Sequence, residues 1–268
     1  MSKDIDLIQP DRGQDAISIH LVNKQGFAEW VKTLSAGQRA SLEGQKFDGG
    51  GYQIGIVPDG DGWFAVGGVA NPASLSSWCL ARLGELLPAG TYRLASGDPG
   101  PALHGWQTGQ YRFGRYKEAK DAPGPRVLLT SQVKAIGPAL AEARAAALVS
   151  DLVNTPAEDM GPAALEQVAE TIAKRHGAAV KVVRGDALEK DYPMIHAVGR
   201  AAARYHAPRL IRLEWGKEGD PLVAIVGKGV CFDSGGLDIK PAAGMLLMKK
   251  DMGGAACVLA LARVIMES

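Results

Sequence analysis

The chain has 268 residues, and its 30 basic residues almost balance its 29 acidic ones, which leaves a formal net charge of +1. Nothing in this charge favours nucleic acid or an anionic membrane as the main partner, so peptides or small molecules are the expected partners. The length suffices for about one to two domains with hydrophobic cores.

The cysteines and the amino terminus indicate a cytoplasmic protein. The three cysteines, Cys79, Cys231 and Cys257, are an odd number without CxxC spacing. This argues against a disulfide framework and fits a reducing compartment. Charges interrupt the amino-terminal residues, which therefore lack the apolar region of a signal peptide. No stretch reaches the roughly 20 apolar residues that a membrane helix needs.

Short apolar segments alternate with helical ones over residues 1–129. β-Branched and aromatic residues between turn residues predict strands at 16–22, 52–57, 63–69, 92–95 and 127–130. Apolar residues that recur every three or four positions predict helices at 27–43 and 75–87. This mixture is typical of an α/β domain.

The run Gln110-Tyr-Arg-Phe-Gly-Arg-Tyr-Lys117 interleaves arginines with aromatic residues. Such a pattern also occurs in grooves that bind single-stranded nucleic acid. One short run in a nearly neutral chain is more typical of a packed interdomain surface, so nucleic acid is not an expected partner.

The pattern becomes more regular from Pro138 onwards. An alanine-rich helix is predicted at 138–152 and ends before Pro156, because proline disfavours helix in the residue that precedes it. A second helix is predicted at 162–176, with proline at its first turn and Gly177 after its end.

Three apolar segments that follow are predicted to be strands, at 179–183, 210–215 and 222–226. The last is uniformly apolar, which is typical of a strand covered on both faces in a parallel sheet. A helix that is apolar on nearly every side, and therefore central, is predicted at 252–266. We place a domain boundary between residues 134 and 135. A smaller α/β domain at 1–134 then precedes a mixed, mostly parallel α/β region at 135–268.

Glycine-rich loops near the carboxyl end of the chain carry four charged residues: Lys228, Asp233, Lys240 and Asp251. Glycines allow a backbone to close around a small charged object, and carboxylates beside lysines suit a metal site better than a core. Lys228 and Asp233 follow the strand predicted at 222–226, at the end where open α/β sheets gather ligand groups. Asp251 precedes the helix predicted at 252–266, and the long loop between can bring the charges together.

Other interpretations of these loops can be tested against the sequence. A phosphate-binding loop is excluded because Gly229 follows Lys228, and the dinucleotide motif fails because Phe232 stands where it needs glycine. A structural network of salt bridges is an alternative for the four charges, and a helix N-cap is an alternative for Asp251 alone. The five histidines are scattered without ligand spacing and are expected to be structural.

Four motifs between Val226 and Ala256 carry a family resemblance: Gly-Lys-Gly, Phe-Asp-Ser-Gly-Gly, Ile-Lys-Pro and Asp-Met-Gly-Gly-Ala-Ala. Their order resembles the signature region of the leucyl aminopeptidase (cytosol aminopeptidase) family. Further landmarks extend the resemblance over 140–268, at 152–160, 197–200 and 208–211. Region 135–268 is then the first part of the family's catalytic domain, whereas 1–134 resembles its variable amino-terminal domain more loosely.

The resemblance implies an enzyme that uses two divalent metal ions to release amino-terminal residues from peptides, with a leucine-like preference. It implies zinc or manganese as the ions, or magnesium, because aspartate and lysine ligands suit all three about equally. The substrates are peptides with a free amino terminus, and the assembly implied is a hexamer.

By the same resemblance, Lys228, Asp233 and Asp251 are metal ligands, and Asp233 bridges both ions. Lys240 is the catalytic lysine that polarises the scissile carbonyl. Lys240, Met248 and Asp251 contact the substrate, and Met248 lines the pocket for its first side chain unless it is a packing residue. Lys228 ligates only when deprotonated, which neighbouring dications favour, whereas Lys240 stays protonated as an electrophile.

The metal site predicted in this way is incomplete. Two divalent ions carry four positive charges, and Asp233 with Asp251 supplies only two negative ones. In the family a downstream Asn-Thr-Asp-Ala-Glu-Gly-Arg segment supplies the remaining ligands, and this sequence has no such segment. The similar stretch Asn154-Thr-Pro-Ala-Glu-Asp159 resembles a different family landmark. We therefore expect the chain to be the amino-terminal part of a longer aminopeptidase, and to be inactive alone.

Two other functions stay open. The chain could be an inactive, binding or architectural protein with a relic active site, which contacts DNA through residues 110–117. It could also be a hydrolase with the same metal scaffold that acts on another amide or an ester. Cys231, where the family often has threonine, is expected to be a packed thiol rather than a ligand.

Overall fold

A computed structural model describes residues 5–117 and 124–268. The chain divides into two compact units, one within 2–147 and the other over 148–268. The domain boundary between 134 and 135 lies before this division and stays a prediction.

The first unit is built on a six-stranded sheet. Its strands are β1 (Ile8–Pro10), β2 (Ile17–Val22), β3 (Ile54–Asp59), β4 (Gly62–Gly68), β5 (Gly90–Leu94) and β6 (Arg126–Thr130). They lie in the order β1-β6-β5-β2-β4-β3, and all neighbours are parallel except the hairpin of β3 and β4. Both outer strands contain a proline, Pro10 in β1 and Pro58 in β3.

The five strands predicted for this region are confirmed to within a few residues as β2 to β6. The sequence prediction missed β1, because three residues ending in proline give too short an apolar pattern to stand out. Parallel pairing to β6 is what identifies β1 as a strand.

The sheet carries a hydrophobic core on each face. Successive side chains of a strand point to opposite faces. Ile19 of β2 therefore joins the larger core, and Val22 of the same strand joins the smaller one. Trp106 lies in the larger core, fully buried, and its indole N–H donates to the Arg126 carbonyl at 3.0 Å.

Helices of the first unit are α1 (Phe27–Trp30), α2 (Ala36–Gly44), α3 (Ala81–Leu86), α4 (Ala102–Thr108) and α5 (Val133–Asn154), the last of which continues into the second unit. The single helix predicted at 27–43 is wrong. Ser35 has an extended backbone with ψ of 163°, and its hydroxyl accepts a hydrogen bond from the Gln38 amide. This capping box ends one helical segment and starts another.

Two other predicted helices have different bounds. Only α3 is helical within 75–87. The helix predicted at 138–152 begins earlier, at Val133, so Pro138 lies inside α5 rather than at its start. A proline there lies beyond the first turn and removes one hydrogen bond, to the carbonyl of Lys134.

The second unit alternates helices with two strands. Its elements are α6 (Pro162–His176), β7 (Ala179–Arg184), α7 (Gly185–Asp191), α8 (Pro193–Gly199), β8 (Arg209–Glu214), α9 (Ala242–Met245) and α10 (Gly253–Glu267). The helix predicted at 162–176 is confirmed. Pro162 occupies its first turn and Gly177 ends it with a left-handed φ of 67°.

Strands β7 and β8 pair in antiparallel fashion, and α6 packs with them. Glu166 of α6 is buried and forms ion pairs with Arg184 of β7 and with Arg209 of β8, the latter at 2.6 Å. A buried carboxylate is stable only when it is paired, so this cluster holds the helix to both strands.

The buried strand predicted at 222–226 is wrong. This segment has no regular secondary structure, and Leu222 and Val226 are 89% and 91% exposed. Within the described residues β8 pairs only with β7, so no neighbouring strand is present for the segment to join. An apolar run cannot form a buried strand without a partner for its backbone groups.

Helix α10 is confirmed but is not central. Ala256 and Ala260 on one face are buried, whereas Leu261 and Ile265 are 46% and 43% exposed. The helix is apolar all round, yet only one of its faces is covered by the described residues.

Across 5–117 and 124–268, none of the helices combines the length and the apolar character needed to cross a membrane.

The buried Trp106 provides a test of the first core. We expect Trp106→Ala to lower the free energy of unfolding by about 3 to 5 kcal/mol, because it removes a large side chain and opens a cavity. The matched control Trp78→Ala removes a half-exposed indole and is expected to lower it by about 1 kcal/mol or less. Urea unfolding followed by circular dichroism measures both changes, and similar losses would contradict this assignment of the core.

Candidate metal centre

The four charged residues singled out in the sequence form two ion pairs. Lys228 Nζ lies 2.6 Å from Asp251 Oδ2, and Lys240 Nζ lies 3.1 Å from Asp233 Oδ2. The pKa of Asp233 is lowered mainly by hydrogen bonds from Gly235 and Lys240, and the charge of Lys228 adds a smaller contribution, so the second lysine is also in the neighbourhood of Asp233. The structure therefore brings these four residues together, and each lysine pairs with a carboxylate, as the salt-bridge alternative describes.

The first pair depends on a close approach of two backbones. Ala255 at the start of α10 donates its amide hydrogen to the Lys228 carbonyl at 2.9 Å. A Cβ atom at Gly227 would lie 2.6 Å from the Gly254 carbonyl oxygen, which real Cβ atoms do not tolerate. Glycine at these positions therefore allows the segment before Lys228 to lie against the first turn of α10, beside Asp251.

The second pair depends on a tight loop. Gly235 has a φ of 90°, and a Cβ atom there would lie 2.2 Å from the Asp238 carbonyl oxygen. Within this loop the Lys240 amide donates to the Ser234 carbonyl at 2.9 Å. The chain thus turns back on itself, and the Lys240 ammonium returns to Asp233.

Asp233 is held as a carboxylate. The Gly235 amide donates to its Oδ1 at 2.9 Å. This backbone hydrogen bond, followed by the bond from Lys240, lowers the pKa of Asp233 below its ordinary value of 3.8. Asp233 is consequently an anionic oxygen donor at neutral pH.

Asp251 lies between a 3₁₀ turn at Met248–Lys250 and helix α10. The N-cap position of α10 is Met252, and no side chain caps this helix. The N-cap alternative for Asp251 is therefore wrong. Its Oδ2 is buried and accepts no well-formed hydrogen bond within the described residues, although the Lys228 ammonium is near. A buried carboxylate oxygen with spare lone pairs suits a cation.

The donor set fits only part of a metal site. Asp233 and Asp251 are two carboxylates, each already balanced by a lysine. In the described ranges no group of three or more His, Cys, Asp or Glu residues is placed to hold a metal ion. Divalent ions in proteins take about four to eight ligands, so these residues could hold a metal only together with other donors.

Met248 and Cys231 lie in the same loops as the four charged residues. Met248 lies in the 3₁₀ turn and is partly buried. The Cys231 thiol donates to the Gly229 carbonyl, and burial raises its pKa to about 11. Cys231 is therefore a protonated, packed thiol, as the sequence indicated, and all three cysteines are free.

Two family models match the chain. One is described as the cytosol aminopeptidase family, catalytic domain, and matches residues 147–268. The other is described as the M17 aminopeptidase, N-terminal domain, and matches residues 17–128. The chain belongs to the cytosol aminopeptidase family.

Relatives and solved structures agree with this membership. A probable cytosol aminopeptidase from Leifsonia xyli subsp. xyli is 35% identical over 258 residues, which cover 87% of this chain and 52% of the relative. The crystal structure of cytosol aminopeptidase from Coxiella burnetii matches with a TM-score of 0.86 and 36% identity, covering 98% of this chain and 58% of that one. The bottromycin maturation enzyme BotP in complex with Mn matches with a TM-score of 0.74 and 30% identity, covering 94% and 56%.

The chain thus spans about half the length of these relatives. The match to the Coxiella burnetii structure confirms the predicted fold class. An amino-terminal α/β domain is followed by the first part of the family's α/β catalytic domain.

The ion pair of Lys240 with Asp233 can be tested by titration. We expect Lys240→Gln to raise the pKa of Asp233 toward 3.8 but not fully, because the Gly235 amide still donates to it. Since the folded pKa lies below the unfolded one, the pair stabilises the fold above about pH 4, and this contribution is lost as the pH falls through the folded pKa. Carboxyl ¹³C NMR measures the shift, with the exposed Lys250→Gln as control. An unchanged Asp233 would contradict the pairing.

Proposed function

We propose that this chain is the amino-terminal part of a metal-dependent aminopeptidase that releases leucine-like residues from the amino termini of peptides. The observation that carries the proposal is the grouping of Lys228, Asp233, Lys240 and Asp251 within the region that the catalytic-domain model matches. We propose two divalent ions as the cofactors, zinc or manganese, or magnesium. The manganese complex of the similar enzyme BotP supports this class of metal.

In this proposal Lys228, Asp233 and Asp251 are ligands, and Asp233 serves both ions. Asp233 suits the role because its lowered pKa keeps it anionic. Asp251 suits it because its buried Oδ2 has lone pairs to offer. The amine of Lys228 already points at Asp251 and ligates after it loses its proton. When bound, such ions supply a Lewis acid and a nucleophile at neutral pH.

Lys240 and Met248 act on the substrate in this proposal. Lys240 keeps its proton beside Asp233 and donates to the scissile carbonyl oxygen as negative charge develops there. Met248 is three residues before Asp251 and contributes to the pocket for the first side chain, and Asp251 also faces the substrate amine. A flexible, apolar methionine accommodates leucine-like side chains.

The activity belongs, in this proposal, to a longer protein, and the 268 residues alone are inactive. Two observations support this. The donor set is incomplete within the described residues. Large apolar side chains are also exposed around the site loops, among them Leu237, Leu246 and the segment 222–226. Exposed apolar surface of this extent is typical of a face that another part of a protein covers.

Domain organisation, location and assembly are also part of this proposal. Residues 1–134 form the amino-terminal domain and 135–268 the first part of the catalytic domain. The enzyme is cytoplasmic, which the name of its relatives and its three free cysteines support. It assembles as a homohexamer and acts on peptides that have a free amino terminus.

Hydrolysis of leucyl p-nitroanilide with added manganese or zinc tests the proposal. We expect activity from the longer protein and none from the 268-residue chain. Lys240→Met in the longer protein is expected to lower kcat by about 10² to 10³, because it removes a donor to the developing oxyanion. Asp251→Asn is expected to lower metal content instead, which elemental analysis measures.

The controls separate the alternatives. N-acetyl-leucyl p-nitroanilide has no free amine, so its equal hydrolysis would indicate a different hydrolase. Inactivity of both proteins with metal present would favour a binding protein with a relic site. An open reading frame that stops at Ser268 would contradict the longer protein.

A further inference from the structure

The end of α5 lies beside the candidate metal centre. Pro156 prevents the helix from continuing, so Asn154 is its last residue. The last carbonyls of a helix have no donor from a following helical turn and carry the negative end of the helix dipole. Such a carbonyl is a favourable partner for a cation.

Lys249 supplies this cation. Its ammonium donates to the Asn154 carbonyl oxygen at 2.7 Å, in a partly buried contact between residues far apart in the sequence. The neighbouring Lys250 is exposed. Two adjacent lysines therefore have different surroundings.

The same helix end also lies near the chain on the other side of Asp251. The Val153 methyl Cγ2 lies 4.0 Å from the position that a Cβ atom would take at Gly253, which is ordinary van der Waals distance. Of the last two residues of α5, Asn154 thus accepts the hydrogen bond from Lys249, two positions before Asp251, and Val153 lies in the neighbourhood of Gly253, two positions after it. Met252, between them, is fully buried. The hydrogen bond from Lys249 is the contact that ties the turn before Asp251 to the end of α5.

We propose that Lys249 is a positioning residue for Asp251, which it fixes by anchoring the Met248–Lys250 turn to the carboxyl end of α5. The inference rests on the proposed function insofar as Asp251 is a metal ligand. A metal ligand must be held to within about 0.5 Å of its working position. Mutation of a residue that orients a ligand typically lowers metal affinity by about 10- to 100-fold. The anchoring contact itself involves no metal.

The first experiment uses the 268-residue chain without metal. Lys249→Ala is expected to speed amide hydrogen exchange across 248–254 by about tenfold and to move the ¹³C carboxyl signal of Asp251. Lys249→Arg keeps a cationic donor and is expected to restore both toward the parent values. Lys250→Ala removes an exposed lysine from the same turn and is expected to change neither.

The second experiment uses the longer protein and measures Mn²⁺ affinity by calorimetry. Lys249→Ala is expected to weaken Mn²⁺ binding by about tenfold. Lys249→Arg is expected to restore the affinity, and Lys250→Ala is expected to leave it unchanged. The proposal is overturned if Lys249→Ala matches Lys250→Ala in the Asp251 signal, or if exchange quickens while that signal and the affinity stay unchanged. If the proposed function is wrong, the unsubstituted longer protein binds no Mn²⁺. The Asp251 signal in the metal-free chain then still shows whether Lys249 positions Asp251, so the two failures can be told apart.

Discussion

The candidate site depends on the close approach of the backbone at Gly227 to the first turn of α10. The hydrogen bond from Ala255 to the Lys228 carbonyl forms only because neither Gly227 nor Gly254 has a side chain in the way. Lys228 and Asp251 are far apart in the sequence, and this contact brings them to ion-pair distance. The loop around Gly235 achieves the same for Lys240 and Asp233 through a backbone conformation that favours glycine.

The four charges balance one another, and this explains how such a cluster exists in the described chain. Each carboxylate faces one ammonium, so the group carries no net charge. Adding dications to this neutral group is unfavourable unless a lysine loses its proton and carboxylates from another segment neutralise the added positive charge. The incomplete donor set and the exposed apolar residues around it therefore have the same explanation in the proposed longer enzyme.

The sequence predicted those elements whose signals are local. The prediction of α6 is confirmed because Pro162 and Gly177 mark the ends of the helix. The predictions of β2 to β6 are confirmed because each strand has an apolar pattern between turn residues. The helix at 27–43 failed because the capping box at Ser35 looks like ordinary helix sequence when only apolar spacing is considered. The segment 222–226 failed because a strand also requires a partner, which no local pattern reveals.

For the candidate site, too, the sequence predicted what depends on local signals and missed what depends on contacts between distant segments. Glycine-rich motifs identified the charged residues, since that information is contained in a short stretch of sequence. Salt bridges among them were one alternative, but which lysine pairs with which carboxylate could not be predicted, because it depends on how α10 and two loops meet. The contact of Lys249 with Asn154 was missed for a similar reason, since its acceptor is a backbone carbonyl that any residue would provide.

The prolines in β1 and β3 have a consequence for biosynthesis. The sheet of the first unit ends in these two strands, and each lacks an amide donor at its proline. An outer strand with a missing donor is a poor template for adding a strand from another molecule. Because domains near the amino terminus leave the ribosome first, this sheet is already outside the ribosome while the later residues are still being synthesised. The missing donors at both edges disfavour strand addition between nascent chains during that interval.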